Sequence, residues 1–289
     1  MKRFQTWLFY IAYTLIAVGL FLYVLFPSES IKAAVSTYLL KTFPAYQIQI
    51  SEIQPILPPG VGMDSVRISQ QNRMGLQFDE IKIIPRLATL FSDSKIINFR
   101  GRAYSGTLDG NIELNQRDTG LQSELLLKLA DIRIDEIENL QLALERKLSA
   151  SLGGIVTYVV EPDSGDSLKA NLQLNGVRLA FSNPLIKVSE IDFNDVSADF
   201  NLNKKVFSLK RLEATGGQVT GSLAGTIMIR KPLENSRLNL RGSFLPEETL
   251  MAGMQNIIAK NIFKQLKPGA KGMPVRIYGT VAKPRFSFR

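Results

Sequence analysis

The stretch Tyr104-Ser105-Gly106-Thr107-Leu108-Asp109-Gly110-Asn111-Ile112-Glu113-Leu114 is apolar or glycine at even positions and polar at odd ones. Val219-Thr220-Gly221-Ser222-Leu223-Ala224-Gly225-Thr226-Ile227-Met228-Ile229 repeats the arrangement, with its apolar residues and glycines at odd positions. Period-2 alternation marks a strand with one dry face. Glycine on that face leaves room for a close neighbour and lets the strand bend. Superposed at an offset of 115, Gly101 falls on Gly216, Gly106 on Gly221, Gly110 on Gly225 and Ile112 on Ile227. Upstream, Phe78 to Ile83 falls on Val188 to Phe193 at an offset of 110. These matches predict two copies of one β unit, at about 76–115 and 186–230.

Alternation extends outward from both copies. Ile48, Ile50 and Val66, Ile68 flank a break at Pro58-Pro59-Gly60, and Phe78, Ile81 and Ile83 open a further strand. Leu121 to Leu129 alternates, as do Leu152–Val160 and Leu168–Leu174 around a turn at Pro162-Asp163-Ser164-Gly165-Asp166-Ser167. Gly176 shifts the phase before Val177 and Leu179. Val275, Ile277, Gly279, Val281 and Phe286, Phe288 close the chain as strands broken at Lys283-Pro284. Helical spacing is scarcer. It predicts a short connecting helix over Pro85–Phe91 and a helix over Asp135–Lys147 with Ile137, Leu140, Leu144 and Leu148 on one face. A third begins at Pro246, acidic at Glu247 and Glu248, basic at Lys260, Lys264 and Lys267, and stopped by Pro268-Gly269. The expected fold is mainly β (α+β): a curled, twisted antiparallel sheet built from a duplicated glycine-phased unit, with a few amphipathic helices.

Ahead of the sheet, Trp7 to Phe26 is twenty residues without a charge. As a helix that run spans roughly 30 Å, the hydrocarbon thickness of a bilayer. Trp7, Tyr10, Tyr13 and Tyr23 are aromatics of the kind that sit at membrane interfaces, and no small-x-small cleavage site follows. The reading is an uncleaved anchor at 7–26 behind a cytoplasmic N-terminus at 1–6, with Lys2 and Arg3 setting the orientation. A juxtamembrane helix at 27–44 follows, capped by Ser28, with Ile31, Ala34, Val35, Tyr38 and Leu39 on one face and Pro44 as its stop. A β-rich domain then occupies 45–289, on the periplasmic side of a bacterial inner membrane.

Composition narrows the chemistry. The 289 residues include no Cys and no His. Thiolate nucleophiles, disulfides, imidazole ligands and Ser-His-Asp arrangements are therefore excluded. The formal charge of +9 sits at the ends. Residues 260–289 hold Lys260, Lys264, Lys267, Lys271, Arg276, Lys283, Arg285 and Arg289 without an acid, while 4–259 are near neutral. We find no catalytic constellation, phosphate loop or calcium loop; Asp163 and Asp166 lack the spacing of the last. The expectation is a protein that is not an enzyme, with no cofactor, no metal and no nucleic-acid partner. Candidate groove-lining residues are Leu108, Ile112, Leu223 and Ile227. The candidate basic interaction tail comprises Lys260, Lys264, Lys267, Lys271, Arg276, Lys283 and Arg285, suited to anionic headgroups or an acidic protein face.

Three features together resemble the type II secretion system protein N (GspN) family: the N-terminal anchor, Ile81-Lys82-Ile83-Ile84-Pro85 running into a short helix, and Gly106-x-Leu108-x-Gly110. The closing stretch Met273-Pro274-Val275-Arg276-Ile277-Tyr278-Gly279-Thr280-Val281-Ala282-Lys283-Pro284-Arg285-Phe286 completes the likeness. It implies an inner-membrane accessory of the machine that exports folded proteins, acting through periplasmic contacts with the inner-membrane platform or secretin. The glycine strands also look like AsmA-type periplasmic proteins. That resemblance implies a curled sheet with an apolar concave face and phospholipid handling. Neither family implies a catalytic residue.

Overall fold

Alternating β-branched and aromatic residues favour extended backbone over helix, and strands fill most of the chain. A computed structural model describes residues 2–42, 44, 46–57, 59–70, 73–89, 91–117, 120–144, 147–162, 165–180, 190–247 and 272–287. Within each of its two units the strands follow one another in chain order as an antiparallel meander. The chain divides into two compact units, Met1–Pro85 and Arg86–Arg289. That boundary falls inside the span read from sequence as one β-rich domain.

The first unit holds helix α1 (Lys2–Val24), helix α2 (Ser28–Thr42) and strands β1 (Tyr46–Ile56), β2 (Gly60–Gln70) and β3 (Arg73–Pro85). Ile48 faces Ile68 and Ile50 faces Val66 across β1 and β2, on both sides of the Pro/Gly break. One face of the hairpin is covered by α2. Ile31, Val35 and Leu39 pack on a core of Ile50, Ile53, Met63 and Val66, in which Ile53 is 1% exposed. Spacings of three and four put those α2 residues on one stripe. Tyr38 is exposed and outside the core. On α1, Trp7, Phe9, Leu20 and Phe21 are exposed. Among the described residues, which leave out the side chains of Leu8, Ala12, Leu15, Ile16 and Leu22, no helix is long and apolar enough to cross a membrane.

The second unit runs β4 (Ser94–Ala103), β5 (Gly106–Arg117), β6 (Gly120–Arg133), helix α3 (Glu138–Leu144), β7 (Leu148–Val160), β8 (Ser167–Ala180), β9 (Glu190–Asn203), β10 (Val206–Thr215), β11 (Val219–Met228), β12 (Arg237–Pro246), β13 (Met273–Thr280) and β14 (Pro284–Ser287). Within this unit each strand pairs with its neighbours in sequence. Bulges interrupt the ladders at Leu129/Ile132, Ser149/Ser151 and Leu209/Leu212, and each adds local twist. The phase shift at Gly176 is real: the residue has φ +61, and Val177 faces Phe193 beyond it.

Several expectations are corrected. The connecting helix at Pro85–Phe91 shrinks to a 3₁₀ turn, Leu87–Thr89, tied down where the Ile96 amide donates to Thr89 Oγ1 at 3.0 Å. The helix expected over Asp135–Lys147 is a 3₁₀ turn at Ile134–Glu136 followed by α3. Gln141 ties α3 to the strand that follows. Its side chain donates to the Leu148 carbonyl and accepts from the Leu148 amide, drawing Leu148 into β7. In the repeat, Gly106/Gly221 and Gly110/Gly225 hold equivalent places in β5 and β11, but Gly101 lies within β4 whereas Gly216 lies in the turn after β10 at φ +72. Pro246 ends strand β12, and residues 248–271 of the helix expected from it lie outside the described residues.

Candidate functional site: an open apolar sheet face

Residues directly opposite in an antiparallel ladder share a face. From Ile112 on β5, one such row runs outward to Ile97 on β4 and inward through Leu125, Tyr158 and Leu168. It continues through Leu202, Phe207, Ile227, Leu238 and Gly279 on β9 to β13. Ile112 and Ile227, chosen from sequence, are thus two points of one line across ten strands. Leu108 and Leu223 share a parallel line. It passes from Leu108 to Leu129, Gly154 and Leu172, then from Ala198 through Leu212 and Leu223 to Gly242 and Val275. Between the two lies a third row, with Gly110 opposite Phe99 and Leu127, and Gly225 opposite Leu209 and Leu240. No polar residue interrupts these rows except for the hydroxyl of Tyr158.

The reverse face is the opposite in character. One row there reads Asn98, Asn111, Leu126, Thr157, Lys169 and Asn201, then Ser208, Thr226, Asn239 and Tyr278. Cross-strand ion pairs stud it: Arg100 Nε donates to Asp109 at 2.6 Å and Arg211 Nε to Asp199 at 2.9 Å.

Large aliphatics at the centre of a two-layer domain are normally buried. Here Leu108, Ile112, Leu223 and Ile227 are only half-buried. Among the described residues the apolar face is covered at one corner, where α3 and the turn before it set Ile134 and Leu140 on Ala150, Leu152, Leu174 and Val196. Glycines bring the backbones together beneath the rows. Gly154 and Gly225 have φ of +143 and +145. A Cβ on either would collide with the carbonyl oxygen of the next strand, Asn171 or Asn239. Tyr158 is the polar handle within the three rows. Its hydroxyl donates to Asp166 at 2.7 Å, a bond that raises the phenol pKa.

The basic tail divides. Lys260, Lys264, Lys267 and Lys271 lie outside the described residues. Arg276 on β13, Lys283 in the following turn and Arg285 on β14 are exposed. Two residues that the sequence reading passed over join them on the polar face: Arg241 sits directly opposite Arg276, with Arg237 further along β12. Like charges face to face are unfavourable, and only the odd phase of Arg237-Leu238-Asn239-Leu240-Arg241 signals the cluster. Arg276 also lies over the Tyr278 ring, 5.8 Å from its centroid. Among the described residues no group of three or more Asp or Glu is placed to hold a metal ion. No family model, curated protein or solved structure matches the chain.

Proposed function

We propose that this chain is a non-enzymatic membrane-anchored protein whose β4–β14 sheet holds lipid acyl chains against its apolar face. One observation carries the reading: three in-register rows of apolar residues and glycine in which Leu108, Ile112, Leu223 and Ile227 are only partly buried. At about 4.8 Å per strand, nine steps from β4 to β13 make a row of about 43 Å. A bilayer's ~30 Å hydrocarbon layer is two acyl chains deep, so such a row outreaches one chain. With rows about 6.8 Å apart the three rows cover roughly 900 Å² of sheet. The bulges and the glycine floor favour a sheet curled into a trough around that face. The chain is read as a single-span protein of a bacterial inner membrane, N-terminus cytoplasmic and bulk periplasmic. What supports this is the uncharged Trp7–Phe26 run and the exposed apolar surface of α1. A helix apolar on every side suits lipid better than water.

The test is extraction of the full chain, purified from membranes in mild detergent, with organic solvent and mass spectrometry of the extract. Phospholipid above the detergent-micelle background, lowered by Ile112→Gln combined with Ile227→Gln, is the expected result. A lipid content indifferent to those changes rejects the reading.

A second reading is a protein-contact role as an accessory of type II secretion. It is favoured by the family resemblance and by Arg237, Arg241, Arg276 and Arg285, gathered on the last strands, which suit an acidic protein face. Deleting the gene in a cell that runs this export should lower secretion of folded substrates; unchanged secretion excludes the role.

A further inference from the structure

In the first unit, the bend between α1 and α2 and the tip of the β1–β2 hairpin enclose a cleft of about 650 Å³. Gly19 and Phe21 of α1 form one wall, Phe26 lies at the bend, and Ile56, Leu57 and Pro59 of the hairpin tip face them. Among the described lining residues none is charged, and the Tyr23 hydroxyl is the sole polar side-chain group. Leu57 is 80% exposed at the mouth. A Cβ added to Gly19 meets nothing within 4 Å, so the helix leaves this wall bare. The volume is that of a small-molecule site, roughly 300–1,000 Å³. Water gains little in such a space, because it needs several polar partners.

We infer that this cleft takes an acyl chain of a bilayer phospholipid at the level where α1 leaves the membrane. The inference rests on the anchoring role proposed for α1. Val18 to Phe21 belong to the second half of the uncharged Trp7–Phe26 run, so at their depth the neighbours of α1 are lipid chains. Tyr23 marks the interface just beyond. A peptide is a poor occupant: its backbone N–H and C=O groups need partners that this lining lacks. A hydrocarbon chain needs none. The site differs from the β4–β14 face in elements and in source, since it draws on lipid still in the bilayer.

The full chain in vesicles of phosphatidylethanolamine and phosphatidylglycerol, doped with a phosphatidylcholine bearing a diazirine near its acyl terminus, provides the test. Illumination should give adducts at residues 18–21 and 55–60 as well as along 7–17. Gly19→Trp fills the cleft from its bare side and should lower adducts at 55–60 about tenfold, the equivalent of about two buried methylenes, while those at 7–17 persist. Leu57→Asp should lower them as well without altering α1. Adducts along 7–17 with none at 55–60, or a yield that Gly19→Trp leaves intact, overturn the cleft and spare the anchor. No adduct at either place overturns both.

Discussion

The two units treat the same sequence pattern in opposite ways. In β1 and β2 alternating apolar residues disappear beneath α2, and Ile53 reaches 1% exposure. In β4–β14 the alternation is longer and cleaner, yet Ile112 and Ile227 are only partly buried. The difference lies in what covers the face. Unit one supplies a helix whose Ile31, Val35 and Leu39 fall on one stripe; among the described residues of unit two, α3 covers one corner only. Alternation decides that a face is dry, and its neighbours decide whether it becomes a core or a surface for something else.

Substitutions should separate the two. The largest effect is expected from Ile53→Ala, about 2–5 kcal/mol because it empties a closed core. Ile112→Ala on the apolar face should cost less, about 1 kcal/mol, since its side chain is only partly buried. Hydrogen exchange of β1–β2 and β5 amides in each variant reads both. Next comes the glycine floor: Gly225→Ala should cost about 2 kcal/mol or more, from its positive φ and the Asn239 carbonyl in its path. Gly176→Ala, at φ +61 with nothing within 4 Å, should cost about 1 kcal/mol. Thermal melts that rank these two in the reverse order would contradict the close-approach account.

The smallest effect belongs to the polar face. Arg133 donates to Asp135 at 3.1 Å, and that bond holds the carboxyl below its usual range. A lowered carboxylate pKa contributes stability above the unfolded value near 3.9, and the contribution vanishes as pH falls through the folded value. Asp135→Asn should therefore cost well under about 1 kcal/mol at neutral pH, as exposed pairs do. The gap to the parent should close in melts below about pH 4.

Much of this was legible in the residues. Alternation located the strands, and the phase of Leu108, Ile112, Leu223 and Ile227 put them on the correct side because side-chain direction has a period of two. What alternation could not give was register. Gly216 matched Gly101 in the alignment but sits in a turn, because β10 ends at Thr215, the residue before it, whereas β4 runs past Gly101 to Ala103. The 3₁₀ turn ahead of α3 was hidden because Ile134 and Ile137 continue the same helical spacing as Leu140, and the hydrogen bonds of Gln141 to Leu148 appear only once α3 and β7 are side by side. The facing arginines were invisible for a like reason: Arg241 and Arg276 lie 35 positions apart and meet only through the β12–β13 ladder.

The central claim is that one face of β4–β14 holds lipid and the other does not. The chain's lack of cysteine makes single-site labelling direct. A photoreactive probe on Cys introduced at Ile227, in the apolar row, and at the adjacent Thr226, on the polar face, tests it within membranes. The account predicts phospholipid adducts from position 227 and only background from 226. Equal yields from the two positions, or none from 227, would contradict it.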